Sequence, residues 1–83
     1  MDQILVHLSV PAISMELDAF IPKNIEVNDA VELAVEAAEN YSHGYFKATG
    51  REVICVDRLE ATLLPGMGVA QYRLENGDRL VLI

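Results

Sequence analysis

One segment of the chain, residues 27–41, has the periodicity of an amphipathic helix, and the fold must be built around its single apolar face. At about 100° per residue, apolar side chains share one face of this segment and carboxylates share the opposite face. The apolar face consists of Val27, Ala30, Val31, Ala34, Ala37, Ala38 and Tyr41, and the acidic face consists of Asp29, Glu32, Glu36 and Glu39. Asn28 is suited to be the N-cap, and Asn40 and Gly44 are suited to end the helix. A helix of this kind is expected to lie on a sheet with its carboxylates in water.

Two alternating segments precede the helix and predict a β-hairpin. In residues 3–10 every second side chain is apolar, which is the pattern of a strand that is covered on one side. Residues 13–19 repeat this pattern after a break at Pro11 and Ala12. Pro22 is expected to end the second strand, because proline has no N–H to donate to a sheet ladder.

A second hairpin is predicted directly after the helix, in residues 45–56. Its turn is placed at Thr49-Gly50-Arg51, because glycine suits the turn conformation and apolar residues follow it. Phe46 and Ala48 are expected to face the core, and Tyr45, Lys47 and Thr49 to face water.

The rest of the chain predicts a loop, a short turn and a last strand. Residues 59–68 contain one proline and two glycines and are expected to be irregular. Residues 69–74 are too short for a stable α-helix and suit a 3₁₀ turn. Asn76-Gly77 is a strong turn signal, and residues 79–83 follow it as the final strand.

This order of elements predicts an α+β domain, in which one helix packs on one face of a mixed sheet of four to five strands. The 83 residues suffice for a single domain, which we place at residues 1–83. The final strand can be well buried only if it lies in the centre of the sheet. We therefore expect it to lie beside the first strand and parallel to it.

The charge and composition of the chain exclude several classes of function. The net charge is −7, and the six Lys and Arg residues are scattered, so neither nucleic acid nor an anionic membrane surface is expected as a partner. No apolar segment approaches the about 20 residues needed to cross a bilayer, and the N-terminus does not resemble a signal peptide. The one cysteine fits a reducing compartment. We therefore expect a cytoplasmic protein.

His7, His43 and Cys55 carry the side chains best suited to metal binding or catalysis. A metal site needs three or four converging ligands, and nothing in the spacing of these residues brings them together. Cys55 lies in an apolar run, which is typical of an inert core thiol. The sequence also lacks a phosphate-binding loop and a nucleophile–base pair. We therefore expect no cofactor, no metal, no catalytic residue and no enzymatic activity.

The order of elements resembles the β-grasp, or ubiquitin-like, fold, and local sequence resembles it too. The segment VAQYRLENGDRLVLI, residues 69–83, is similar to the closing segment of ubiquitin-like proteins. Within that superfamily the chain resembles the YukD/EsaB proteins, which are ubiquitin-like components encoded with bacterial type VII secretion systems. The segments that carry this resemblance are ELDAFIP, TGREVICV and NGDRLVLI.

The resemblance implies an accessory or regulatory protein of the secretion machinery, one that acts by protein contacts and has a partner such as a membrane component. Ubiquitin and the sulfur carriers with this fold end in a flexible Gly-Gly tail whose carboxylate is activated. Ile83 is bulky and belongs to the final strand, so neither conjugation nor sulfur transfer is expected. A ubiquitin-like interaction module of another pathway and, with less support, a sulfur carrier or protein modifier are the alternatives.

Two surfaces are candidates for partner binding. The first is an apolar patch with a polar rim on the sheet face opposite the helix, formed by Leu5, His7, Val81 and Ile83 and bordered by Tyr45 and Lys47. Such patches mark binding sites, and the corresponding face is the common recognition surface of ubiquitin-like domains. A partner, a second copy of the chain in a homodimer, or residues 59–68 would cover it. The second candidate is the acidic helix face, which suits a basic partner but equally suits simple solvation.

Overall fold

The elements of the fold follow the predicted order, with boundaries that differ in the second half of the chain. The computed structural model describes residues 2–83. The strands are β1 (Gln3–Val10), β2 (Met15–Pro22), β3 (Ile54–Val56), β4 (Ala61–Thr62) and β5 (Asp78–Leu82), and the helix is α1 (Val27–Tyr41). Two 3₁₀ turns, Pro11–Ile13 and Val69–Tyr72, join strands at the positions where the sequence predicts breaks.

The five strands form one mixed sheet in the order β2-β1-β5-β3-β4. β1 pairs with β2 in antiparallel and with β5 in parallel, and β5 also pairs with β3 in antiparallel. The final strand therefore lies in the centre of the sheet beside β1, as the sequence predicts. The α+β class is confirmed as well, and residues 2–83 contain the one predicted α-helix.

The core lies between α1 and one face of the sheet. The even-numbered residues of β1, from Ile4 to Val10, are at most 5% exposed, as are Leu80 and Leu82 of β5. Three of the four fully buried residues of the helix are alanines. Tyr41 is an exception to the predicted apolar face, because it lies at the end of the helix and is 53% exposed.

The helix begins two residues earlier than a cap at Asn28 predicts. Its N-cap is Glu26, and Asn28 lies inside the first turn, so the prediction of Asn28 as the cap is wrong. The backbone of the loop before the second 3₁₀ turn replaces the capping side chain. Val27 N–H donates to the carbonyl of Met67 (2.8 Å), and Asn28 N–H donates to the carbonyl of Pro65 (3.3 Å). These bonds satisfy helix N–H groups that otherwise need a cap.

The predicted hairpin at residues 45–56 is wrong, because residues 45–53 form no strand. The turn at Thr49-Gly50 exists, but a side chain closes it. The carboxylate of Glu52 accepts hydrogen bonds from the N–H groups of Thr49 (2.7 Å) and Gly50 (3.1 Å). Phe46 packs against the core as expected, whereas Ala48 is exposed.

The hairpin lies one step later in the chain, where β3 pairs with β4. Residues 59–68 therefore contain a short strand and are not irregular throughout. Leu63 is 1% exposed in the core, and the loop that follows is bonded to the start of α1. The segment packs on the helix side of the sheet and does not cover the opposite face.

Candidate protein-binding surface

The sheet face opposite the helix carries most of the predicted patch. The pairing places His7 opposite Arg79 and Ser9 opposite Val81, and neighbouring residues in a sheet share a face. Leu5, His7 and Val81 are half-buried on this face, where no helix covers them. Ile83 follows β5 and is 67% exposed. Its N–H and carbonyl are both bonded to the backbone of Val53, at 2.9 and 3.0 Å.

A row of charged side chains divides this face into two apolar parts. Nε2 of His7 lies 2.8 Å from Glu16 Oε1, and Nδ1 lies 2.9 Å from Asp18 Oδ1. On the neighbouring strand, Arg79 Nη1 lies 2.8 Å from Asp57 Oδ2. The row crosses the sheet between Leu5 on one side and Val81 on the other. The four predicted residues thus share a face without forming one continuous apolar patch.

Phe20 belongs to this surface and is absent from the sequence prediction. It lies opposite Leu5 across the β1–β2 pair and is 64% exposed. The sequence did contain a signal for it. Phe20 follows Glu16 and Asp18 at the alternate positions of β2 that are otherwise polar. An aromatic residue at a position where the alternation predicts a polar one marks a surface with a use other than solvation.

Tyr45 and Lys47 lie at the other end of the sheet. Together with Ile13 and Ile83 they line an open groove of about 380 Å³. Leu5 lies level with the turn before β5, because its carbonyl accepts a hydrogen bond from Gly77 N–H (2.8 Å). At about 3.3 Å per residue, Ile83 is roughly 20 Å away from Leu5 along the strand. The structure therefore brings Tyr45 and Lys47 to Ile83 and not to Leu5.

The acidic helix face lies as the periodicity predicts. All four of its carboxylates are exposed: Asp29, Glu32, Glu36 and Glu39. Glu32, Glu36 and Glu39 line a shallow surface depression that also includes Glu52. Hydrogen bonds from Thr49 lower the pKa of Glu52, which keeps that carboxyl charged. The depression therefore carries a concentrated negative charge.

The residues considered for metal binding or catalysis lie apart. Cys55 lies on the open sheet face between Val81 and Thr62 and is half-buried, so it is not the core thiol that the apolar run predicts. His7 is engaged by carboxylates at both ring nitrogens, and His43 lies exposed just after the helix. Within residues 2–83, no three His, Cys, Asp or Glu side chains converge on a point suited to a metal ion.

The charge state of His7 follows from its two partners. An ionised carboxylate only accepts hydrogen bonds, so contacts at both ring nitrogens require two N–H groups and hence the imidazolium form. The hydrogen bonds to Glu16 and Asp18 raise the pKa of His7 above its ordinary value of 6.5. The hydrogen bond from His7 in turn lowers the pKa of Glu16.

We expect a nuclear magnetic resonance titration to give a pKa above 6.5 for His7. Glu16→Gln should move this pKa down, because it removes one of the two carboxylates, while Glu39→Gln on the helix should leave it unchanged. Since the folded-state pKa is raised, this contact stabilises the fold below about pH 6.5 and is lost as the pH rises through the folded-state pKa. An unshifted pKa in the wild-type protein would contradict the doubly bonded geometry.

Comparison with known proteins identifies the fold. No protein-family model and no curated protein sequence matches the chain. The ubiquitin-like domain of EccD5 from Mycobacterium xenopi superposes with a TM-score of 0.79 at 13% identity, over 100% of this chain and 94% of that chain. The fold is ubiquitin-like.

A second ubiquitin-like neighbour comes from a type VII secretion protein. The ubiquitin-like domain of the Mycobacterium tuberculosis type VII secretion protein EccD1 superposes with a TM-score of 0.74 at 14% identity, covering 100% of this chain and 99% of that chain. A chain of the ESX-5 inner membrane complex gives a TM-score of 0.80 at 16% identity, and the present chain spans 21% of its length. Within residues 2–83, no helix is both long and apolar enough for a membrane crossing.

Proposed function

We propose that this ubiquitin-like chain is a non-enzymatic accessory protein of a bacterial type VII secretion system, with a role like that of the YukD/EsaB proteins. It acts in the cytoplasm by contacting another protein of the secretion machinery. The observation that carries the proposal is the superposition of the whole chain on nearly complete ubiquitin-like domains of two type VII secretion proteins. The resemblance of the closing segment to YukD/EsaB proteins supports the same role.

The proposed contact surface is the open sheet face. Leu5 and Phe20 form an apolar area on one side of the charged row, and Val81 lies on the other side. Side chains of this kind gain binding energy through burial, and the charged row between them fixes orientation. A large partner would also reach two further areas. These are the groove end formed by Ile83, Tyr45 and Lys47, and the acidic helix face.

Conjugation and sulfur transfer are not part of the proposed role, and Ile83 is held in the sheet. Both backbone groups of this bulky residue are bonded to Val53, which favours a structural role for it. Incubation with ATP and an activating enzyme tests this directly. We expect neither an adenylate nor a thioester, and formation of either would show a carrier in place of an adaptor.

The double variant Leu5→Ala with Val81→Ala is expected to abolish function while the fold is retained. Both side chains are half-buried on the open face, so truncation removes apolar contact area without opening the core. The measurement is export of type VII substrates from cells that lack the gene and carry wild-type or variant copies. We expect the wild-type copy to restore normal export and the double variant to fail.

Leu64→Ala is the matched control, because Leu64 is 58% exposed but lies in the loop on the helix side of the sheet. It should restore export as well as the wild type does. A double variant that is folded by circular dichroism and restores export would remove the open face from the proposal. Export that does not change when the gene is deleted would remove the secretion role.

A further inference from the structure

The outer edge of the sheet at β2 has unpaired backbone groups. Lys23 N–H donates to the carbonyl of Asp2 (2.7 Å), which marks this pair as hydrogen-bonded. Such pairs alternate along an antiparallel ladder, so the odd-numbered residues of β2 face β1. Glu16, Asp18 and Phe20 therefore direct their N–H and carbonyl groups away from the sheet.

Hydrogen bonds on the other side of β1 confirm this register. Leu5 N–H donates to the side chain of Asn76 (2.9 Å), and its carbonyl accepts from Gly77 N–H (2.8 Å). The odd-numbered residues of β1 thus face β5, and the even-numbered ones face β2. Within residues 2–83 no strand pairs with the outer side of β2, which is an edge of eight residues. An edge of this length is a template for another strand.

An apolar groove lies directly beside this edge, between β2 and α1. Its volume is about 180 Å³, and the alanines at 19, 30, 34 and 37 contribute to its lining. The small alanine side chains leave this space unfilled. Leu33 also lines it and is 47% exposed. A cavity of about 150 Å³ with an apolar lining can take up a benzene molecule, so this groove has room for a large aliphatic or aromatic side chain.

The opposite face of the same edge is acidic. Glu16 and Asp18 are more than half exposed, with side-chain exposures of 58% and 69%. They share a single imidazolium, that of His7, so one negative charge remains in excess. A strand added to β2 would place alternate side chains in the groove and the others beside these carboxylates.

We propose that β2 binds an extended segment of a partner protein as a sixth strand. The segment alternates large apolar residues, which occupy the groove, with Lys or Arg residues, which face Glu16 and Asp18. A second copy of this chain does not fit these requirements, because paired β2 strands would place the carboxylates of both copies opposite each other. This site shares Glu16, Asp18 and Phe20 with the open sheet face, but it uses the backbone edge of β2 and the groove. Leu5 and Val81 are not part of it, so either proposal can fail without the other.

The probe for this site is the synthetic peptide acetyl-Lys-Ile-Lys-Ile-Lys-Ile-Lys-amide, titrated into isotope-labelled protein. We expect amide shift changes at Glu16 to Phe20 and at Leu33 to Ala37, and small changes at Cys55. Two N-methylated forms of the peptide, one methylated on every Ile and one on the two internal Lys residues, test the backbone ladder. Methylated lysines should block antiparallel pairing and methylated isoleucines parallel pairing, so only one form should lose binding. Equal binding of both forms would overturn the proposal.

Three variants test the edge and the groove separately. Phe20→Pro removes both the side chain and an outward N–H, whereas Phe20→Ala removes the side chain and keeps that N–H. The proline variant should therefore bind the peptide roughly fivefold more weakly than the alanine variant. Ala34→Leu fills the groove and should weaken binding roughly tenfold or more. If Ala34→Leu does not fold, the Phe20 pair still decides. Sedimentation of the free chain as a dimer that Phe20→Pro dissociates would show that a second copy occupies the edge, which contradicts the proposal.

Discussion

Leu80→Ala is expected to lower the free energy of unfolding by about 3 kcal/mol, within the range of about 2–5 kcal/mol for buried leucines. Leu80 is 2% exposed in the central strand β5, where it pairs with both β1 and β3. Its side chain borders the groove between the sheet and α1, so truncation would enlarge an existing space. A domain of this length has a total stability of about 4–12 kcal/mol, so the loss is a large share.

The neighbouring variant Val81→Ala is the matched control for this prediction. Val81 lies on the same strand but on the open face and is half-buried, so its truncation should cost about 1 kcal/mol or less. Urea unfolding followed by circular dichroism measures both values. Equal losses for the two variants would contradict the assignment of the inner and outer faces of β5.

Asp78→Ala is expected to lower the free energy of unfolding by about 2 kcal/mol. Asp78 begins β5 and is only 7% exposed. Its carboxylate accepts hydrogen bonds from Arg58 Nε (2.8 Å) and Nη2 (2.9 Å) and from Glu75 N–H (2.8 Å). The alanine variant leaves the N–H of Glu75 without this partner and removes the ion pair that ties the β3–β4 hairpin to the final turn.

The ion pair also makes stability depend on pH. The hydrogen bonds from Arg58 hold the pKa of Asp78 below its ordinary value of 3.8. Because the folded-state pKa is depressed, the stabilisation is fully present above the unfolded-state pKa and is lost as the pH falls through the folded-state value. We therefore expect the difference between the wild type and Asp78→Ala to shrink below about pH 4.

Asp57→Ala is the matched control for Asp78, because Asp57 forms an exposed ion pair with Arg79. The side chains of that pair are 52% and 45% exposed. Solvent screens such pairs, so the expected loss is about 0.5 kcal/mol or less at any pH. A loss as large as that of Asp78→Ala would show that burial of the carboxylate is not the source of its effect.

Local sequence patterns predicted the elements that have one buried face and one exposed face. The alternation in residues 3–10 and the 3.6-residue period of residues 27–41 each identify an element of the structure. The placement of the final strand followed from burial, since an apolar strand at an edge would leave one side open. Gly77, with a φ of 91°, confirms the turn that feeds this strand.

The wrong predictions concern segments whose conformation is set by a single side chain or by contacts with residues distant in sequence. Glu52 closes the turn at residues 49–51 without strands on either side, so the turn signal was genuine but the hairpin was not. The backbone of residues 65–67 caps α1, which removes the need for Asn28 as a cap.

The composition of the candidate surface depends on register between strands. Alternation shows that His7 leaves the core, but only the pairing shows that two carboxylates of β2 flank it. The division of the open face by charged residues, and the groove beside β2, both arise from such non-local pairing. No pattern within one segment contains this information.

The most direct test of the secretion role is affinity purification of the tagged chain from detergent-solubilised cells, with identification of the bound proteins by mass spectrometry. We expect type VII membrane-complex components with the wild type and with Leu64→Ala, and their loss with the double variant Leu5→Ala and Val81→Ala. Recovery of an adenylating enzyme in their place, or unchanged recovery with the folded double variant, would contradict a contact-based role through the open sheet face.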